Sequence, residues 1–340
     1  MSAGGERPGL GEFELIDRYF TVRPDAPGAR PDVILGVGDD AAVLRLPPDT
    51  DLVAAVDTLV AGRHFLVGSA ARAIGHRALA VNLSDLAAMG AQPAWATLAL
   101  TMPAADPVWL AEFSGGLGDL ALAHGVRLVG GDTTCGPLTI SVQILGWIEP
   151  GTALRRGGGQ PGDLIAVTGT LGDAGAGLAL QAGRLARADA AIAAADVERA
   201  AAHLIRRFEY PTPRVEFGRR ARGLANAAMD ISDGLAGDLP KLAAAAGLAA
   251  RIDLNRLPIS DAMRRFVPAA QAELWALSAG DDYELLTAVP PCNIDALAEV
   301  ARELDLTLTV IGELQRGSGV AWYRDGALTV VDTQGYDHFL

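Results

Sequence analysis

Lysine is nearly absent from this 340-residue chain: Lys241 is the single example, and arginine supplies the other fixed positive charges. A Gly-Lys-Ser/Thr phosphate loop is therefore missing, as is the strand lysine of protein kinases; each sets an ammonium against nucleotide phosphates. Only two cysteines occur, Cys135 and Cys292, far apart and with no histidine at zinc-like spacing, which argues against a disulfide framework and a thiolate zinc site and favours a reducing cytosol. Positive charge is short overall. With 28 basic and 41 acidic residues the net charge is −13, so a broad electrostatic grip on nucleic acid or an anionic membrane is not expected. No apolar run approaches the ~18–20 residues of a membrane span, and the N-terminus lacks a basic stretch followed by an apolar core. The chain reads as soluble, unsecreted and cytoplasmic. The five histidines (His64, His76, His124, His203, His338) are scattered and no serine sits in a G-x-S-x-G elbow, which leaves triad chemistry unsupported. Aromatic residues, 5% of the chain, are too dispersed to mark a pocket for a ring-bearing substrate.

What is present is a 50% apolar chain with enough length for two domains at the usual ~100–200 residues each. Short apolar runs at 33–35 and 52–56, bounded by Gly, Pro and Asp, read as buried strands. Residues 70–89 read as helical in two pieces. Leu110, Phe113, Leu117 and Leu120 mark an amphipathic helix over 108–124. Strands are expected at 95–101, at 127–129 leading into Gly130-Gly131-Asp132, and at 139–148. The segment 155–162 (RRGGGQPG), with three glycines and a proline, reads as a linker, which sets domains at 1–150 and 151–340. Beyond it the pattern gives strands at 164–168, 227–231, 284–289 and 307–311. Helices are expected from near Gly172, over 196–222, over 234–246 and over 293–304, with alanine-rich filler near 242–250. The class is mixed α/β without a sequence period that would signal a solenoid.

The aspartates carry the functional signal through their address. Asp39 and Asp40 (GVGDDAAVL), Asp57 (AAVDTLVAGRHF), Asp85 (VNLSDLAAMGAQP), Asp132 (VGGDTT), Asp230 and Asp233 (MDISDGLAGDL), and Asp281 and Asp282 (SAGDDYELL) follow apolar runs or glycines. In open α/β sheets ligands gather beyond strand ends, so these acids are expected to converge on a cleft. Converging carboxylates repel unless cations lie among them, and a hard-oxygen set without His or Cys suits Mg²⁺. Taken singly, Asp39, Asp173 or Asp238 also fits a helix cap or turn. Gly157–Gly162 formally satisfies G-x-G-x-x-G but precedes a strand, so a dinucleotide site is not expected. The segment 169–175 (GTLGDAG) joins a strand to a helix, where its N–H groups either hold an anion or make a tight turn. Arg155 and Arg156 either supply phosphate charge or form a solvated pair.

GVGDDAAVL, DTLVAGRHF, NLSDLAAMGAQP, GGDTT, RRGGGQPGD, TGTLGDAGAGLA, MDISDGL, GDDYEL and the terminal GYDHF, in this order along nearly the whole chain, resemble the thiamine-monophosphate kinase family. NLSDLAAMGA and GGDTT are also similar to the wider superfamily of aminoimidazole ribonucleotide synthetase. The resemblance implies a two-domain α/β architecture of that superfamily, mixed sheets with helices packed on one face. It implies that residues 1–150 bind ATP and Mg²⁺ and pair across a homodimer, while residues 151–340 complete the nucleotide and substrate site. The implied reaction is transfer of the ATP γ-phosphoryl group to thiamine monophosphate, giving thiamine diphosphate. By position the resemblance implies metal ligation at Asp40, Asp57, Asp85, Asp132, Asp230 and Asp233. It implies ATP contacts at Gly131, Asp132, Arg156 and Ser232, and substrate contacts at His64, Asp281 and Tyr336. Ala55 and Val56 stand where the family often has Ser-Thr, which leaves only backbone carbonyls for metal there, and Asp281 stands where Glu is common.

A phosphate monoester with a second pKa of ~6 is largely deprotonated near pH 7, so the acceptor needs no strong base, and no catalytic side chain is assigned. Direct transfer without a phosphoenzyme is expected. Two other readings are a related ATP-dependent synthetase and a catalytically silent nucleotide sensor of the same fold. Selenophosphate synthetases are disfavoured because no Cys or Lys lies near the N-terminus, and hydrogenase-maturation relatives because the chain ends His338-Phe339-Leu340.

Overall fold

The computed structural model describes residues 11–21, 30–185, 194–333 and 335–336; His338 and the rest of GYDHF beyond Tyr336 lie outside them. By the clustering of their contacts these residues divide into two compact units. The first falls within Met1–Pro48, Ala54–Asn82 and Pro93–Gly146, the second within Asp49–Val53, Leu83–Gln92 and Trp147–Leu340. Both mix helices with sheet. Among the described residues no helix is long and apolar enough to cross a membrane.

The chain opens with α1 (Glu12–Tyr19), β1 (Val33–Leu35), β2 (Val43–Leu44) and β3 (Asp51–Val60). It continues through α2 (Ala71–Met89), β4 (Gln92–Met102), α3 (Pro107–Ala123), β5 (Arg127–Cys135) and β6 (Thr139–Ile148). β1 and β2 form a small antiparallel pair. The main sheet here has the order β3-β6-β4-β5, with β4 and β5 parallel. α3 starts where Asp106 accepts the Val108 N–H at 2.8 Å and Pro107 takes the first turn, since proline there gives up no helical bond. α2 is a single helix, not two pieces. Leu79, Leu83 and Leu86 are fully buried, and so are Asn82 and Ser84, the polar stretch that made the sequence look interrupted.

The later elements are β7 (Leu164–Thr168), α4 (Asp173–Gln181), α5 (Ala194–Glu209), α6 (Val215–Ala221), β8 (Ala227–Ile231), α7 (Leu235–Ala245) and β9 (Leu248–Asp253). They are followed by α8 (Asp261–Arg264), α9 (Ala269–Ser278), β10 (Glu284–Val289), α10 (Ile294–Glu303), β11 (Leu308–Arg316), β12 (Gly319–Arg324) and β13 (Ala327–Thr329). The seven-stranded sheet has the order β13-β12-β9-β11-β7-β10-β8. β12 and β9 pair parallel, while β10 pairs antiparallel with both β7 and β8. β8 and β10 are buried along their whole length, which explains their mainly apolar sequences, broken only by Asp230, Glu284 and Thr287. α7 lays Leu235, Leu239 and Leu242 into the core with Ile165, Met229 and Leu286.

Two expectations change here. The stretch 196–222 is two helices, because Pro211 and Pro213 fall between α5 and α6 and proline cannot continue the ladder. The glycines of 155–162 are not a free linker. Arg156–Gly158 forms a 3₁₀ turn, and a Cβ at Gly158 would fall 2.0 Å from the Asn226 carbonyl oxygen. Gly158 lets this turn lie against the backbone ahead of β8, and Gly157 lets it approach the Ala245 carbonyl.

Candidate active site

In the first unit, the turn after β1 and the strands β4 and β5 line a cavity of about 730 Å³ that Asp39, Asp40, Gly131 and Asp132 share. Gly131 is required by close approach: it pairs with Leu98 across β4 and β5, and a Cβ on it would sit 1.8 Å from the Leu98 carbonyl oxygen at φ +146. Asp132 therefore stands next to bare backbone, exposed, inside the strand and not after it. Asp57 likewise lies inside β3, a departure from the expectation that each run ends at its aspartate. Its N–H donates to Asn82 Oδ1 at 3.0 Å, and the buried Asn82 anchors itself by donating to the Ala78 carbonyl. His64 is half-buried and accepts the Val60 N–H on Nδ1 at 2.9 Å. The neutral ring then carries its proton on Nε2, as a donor.

The second unit assembles its acids on two neighbouring loops. Asp230, the penultimate residue of β8, is 5% exposed and accepts a hydrogen bond from Ser84 Oγ at 2.8 Å. Asp85 follows on α2, half-buried. After β8 the loop bends around Asp238, whose buried carboxylate accepts the N–H groups of Ser232 and Asp233 at 3.0 and 2.9 Å. Lys241 donates to Asp238 at 2.9 Å and to Asp233 Oδ2 at 2.6 Å. Burial weakens the Lys241 ammonium, but the bonds to Asp233 and Asp238 outweigh it and hold its pKa above the usual lysine value.

The GDDY loop lies against this one. Asp281 donates its N–H to the Ser232 carbonyl at 2.8 Å and Tyr283 donates to the Ile231 carbonyl at 2.9 Å. Both Asp281 and Tyr283 adopt positive φ, at 62° and 51°, a conformation that non-glycine residues adopt at an energetic cost. Gly280 precedes them because a Cβ there would lie 2.6 Å from the Ser232 oxygen. Tyr336 donates its N–H to the Asp233 carbonyl at 3.0 Å and is exposed. Backbone bonds thus bring Ser232, Asp233, Asp281 and Tyr336 together at the end of β8 that carries Asp230.

The strain is held by buried charge. Asp282, 1% exposed, accepts the N–H groups of Gly172 and Ala174 at 2.6 and 3.2 Å. Of the two readings of the 169–175 turn, anion cradle or tight turn, its N–H groups do meet an acid, this side chain. Burial pushes the Asp282 pKa up to about 7, with the Arg207 charge and the Gly172 N–H pulling the other way. Glu284, fully buried, accepts from Arg207 at 2.8 Å, from Arg214 Nε at 2.7 Å and from Thr168 Oγ1 at 2.7 Å. Asp173 is buried too, bonded by Thr170 and Ser260 at 2.6 Å each, with His203 at 3.4 Å. It is a structural acid, as is Asp238.

Arg156 is not brought to this cluster. Its turn abuts Asn226, before the first residue of β8, about 20 Å from Ser232 at the rise of a strand. A cavity of about 1000 Å³ opens at that end, lined by Arg155, Arg219, Arg220 and Arg222. Three of these arginines are already paired, with Glu216, Glu303 and Glu149.

Among the described residues no three His, Cys, Asp or Glu side chains form a metal cage. The donors still suit magnesium, which binds through one or two carboxylates plus water and phosphate and not through an all-protein cage. Asp40 and Asp132 at one cavity, and Asp230 beside the end of β8, are such oxygen donors. Asp233 differs, because an ammonium already sits on one of its carboxylate oxygens. Sequence reasoning missed Asn82, Ser84 and Glu284, and it expected Asp282 to face a cleft, whereas Asp282 is buried and anchors the 169–175 turn. The first two lie in the NLSD motif and the others in GDDYEL, where their polarity inside apolar runs was the available signal.

Residues 38–148 match the family described as AIR synthase related protein, N-terminal domain, and residues 160–323 its C-terminal domain. Thiamine-monophosphate kinase of Escherichia coli K12 is 48% identical over 331 residues, covering 97% of this chain and 98% of that protein. The crystal structure of thiamine-monophosphate kinase from Stenotrophomonas maltophilia is also 48% identical, with a TM-score of 0.80 over 88% of this chain and 93% of that one. A structure described as AaThiL complexed with AMPPCP and TMP is 31% identical, with a TM-score of 0.73 over 86% and 89%.

Proposed function

The chain belongs to the thiamine-monophosphate kinases, within the AIR synthase related proteins, and from that membership we propose that it transfers the γ-phosphoryl group of ATP to thiamine monophosphate, yielding thiamine diphosphate and ADP. The observation that carries the reading is the pair of backbone-bonded loops at 230–233 and 280–283, which set Asp230, Ser232, Asp281 and Tyr336 side by side. The 31%-identical relative solved with AMPPCP and TMP supports both substrates.

Magnesium supplies charge neutralisation between the two anionic phosphates. Asp40, Asp57, Asp85, Asp132 and Asp230 are the residues proposed to hold it. Gly131 and Ser232 are proposed to meet ATP, Gly131 through bare backbone. Arg156, at the far end of β8, would meet a part of the nucleotide remote from Ser232. His64 donates from Nε2 to the acceptor phosphate without adding a charge, while Asp281 and Tyr336 position the rest of thiamine monophosphate. The acceptor oxygen is already ionised near pH 7, so no side chain is asked to remove a proton.

A homodimer belongs to the proposal as well. β3 is an edge strand of its sheet, with Leu52, Val56 and Val60 exposed on alternate positions, and such an edge invites a second copy. A cytoplasmic setting, where ATP and magnesium are abundant, completes the reading.

Purified protein with Mg²⁺, ATP and thiamine monophosphate, followed by chromatography, is expected to show thiamine diphosphate. Absence of product from folded, ATP-binding protein would leave the synthetase or sensor reading. Radiolabelled ATP alone is expected to leave no label on denatured protein; retained label would contradict direct transfer.

A further inference from the structure

The one lysine of the chain is placed against an acid that the family pattern gives to metal. Lys241 Nζ lies 2.6 Å from Asp233 Oδ2 and 2.9 Å from Asp238 Oδ1. Asp238 is 1% exposed, and its other oxygen fixes the N–H groups of Ser232 and Asp233. The ammonium therefore serves a buried carboxylate and Asp233 together. A cation arriving at Asp233 must either bind the same carboxylate within a few ångströms of an ammonium or displace one that Asp238 needs.

We propose that Lys241 occupies the cation position at Asp233, so that this chain uses a built-in ammonium where the family pattern implies a further magnesium ion. The exchange is chemically reasonable. An ammonium offers three donors and one unit of positive charge, enough to balance Asp233 while bridging it to Asp238. It offers no open coordination positions for phosphate, so Asp233 becomes a residue that shapes the Ser232 loop. A divalent ion within about 4 Å of the ammonium would meet a repulsion that weakens its occupancy by about tenfold even with the dielectric of water and the screening of physiological salt.

The inference rests on the kinase reading only for the choice of cation, and it is tested on the ligand-free full chain with Mn²⁺ alone. Electron paramagnetic resonance titration counts bound Mn²⁺ in the unsubstituted protein, in Lys241→Met and in Lys241→Arg. Lys241→Met is expected to gain one Mn²⁺ equivalent, or about tenfold tighter binding, and Lys241→Arg to match the unsubstituted protein. Adding Asp233→Asn to Lys241→Met is expected to erase the gain. Should Lys241→Met fail to fold, Lys241→Gln, which keeps a donor for Asp238 without the charge, carries the same expectation. Unchanged or weakened Mn²⁺ binding on removing the charge would overturn the proposal, and so would a gain that survives Asp233→Asn. Formation of thiamine diphosphate by the unsubstituted chain tests the kinase reading separately.

Discussion

Ser84 and Asn82 do for their partners what no charge count reveals. Each spends a buried polar group on an aspartate, Ser84 on the Asp230 carboxylate and Asn82 on the Asp57 N–H. Ser84→Ala is expected to lower stability in urea by about 1–2 kcal/mol, the usual cost of leaving a buried acceptor short of a donor. It should also lower kcat, since Asp230 loses its orientation; unchanged kcat would remove Ser84 from a positioning role. Asp282 makes a second residue-scale prediction. Its folded pKa, raised by burial to about 7, exceeds its unfolded value near 3.8. Its contribution to stability is therefore fully present below about pH 4 and lost as pH rises through about 7. Asp282→Asn, which does not ionise, is expected to gain stability relative to the unsubstituted chain as pH climbs from 4 to 7. Urea denaturation at several pH values measures that difference. The type of residue at each acid address was legible in the sequence. The bonds that orient those acids were not, because Asn82 and Asp57, or Ser84 and Asp230, meet only after folding.

At the scale of elements, apolar runs announced β7, β8 and β10 because strands buried on both faces carry no alternation to obscure. Alanine misled: the run at 242–250 reads as one helical stretch, yet Gly247 at φ +66 ends α7 and β9 begins at Leu248. Alanine favours helix over strand, so its run hides the start of β9 and the glycine alone marks the break. α1, α8, α9, β12 and β13 went unread for a related reason, as each is short or weakly patterned. The GDDY loop was recognised by composition but not by its left-handed backbone at Asp281 and Tyr283. Gly280→Ala, which adds a Cβ 2.6 Å from the Ser232 carbonyl oxygen, is expected to raise KM for thiamine monophosphate several-fold and to destabilise the fold by about 1–3 kcal/mol. Steady-state kinetics with each substrate varied in turn checks this, and an unchanged KM would detach the loop from the substrate.

At the scale of the whole molecule, two compact units of mixed α/β structure each carry candidate acids, Asp132 in the first and Asp230 in the second. Self-association is expected to depend on the apolar edge of β3. Val56→Glu should yield monomer in sedimentation velocity where the unsubstituted chain gives dimer; a dimer in both would move the interface elsewhere. That Asp132 and Asp230 each hold magnesium for the transfer from ATP to thiamine monophosphate is the central proposal. It is tested most directly by thiamine diphosphate formation at saturating Mg²⁺ and ATP for the unsubstituted chain, Asp132→Asn and Asp230→Asn, each with its fold verified by circular dichroism. Product is expected from the unsubstituted chain, with at least a hundredfold loss in each variant, on the order of 3 kcal/mol in the barrier. Near-full turnover in either folded variant would contradict it.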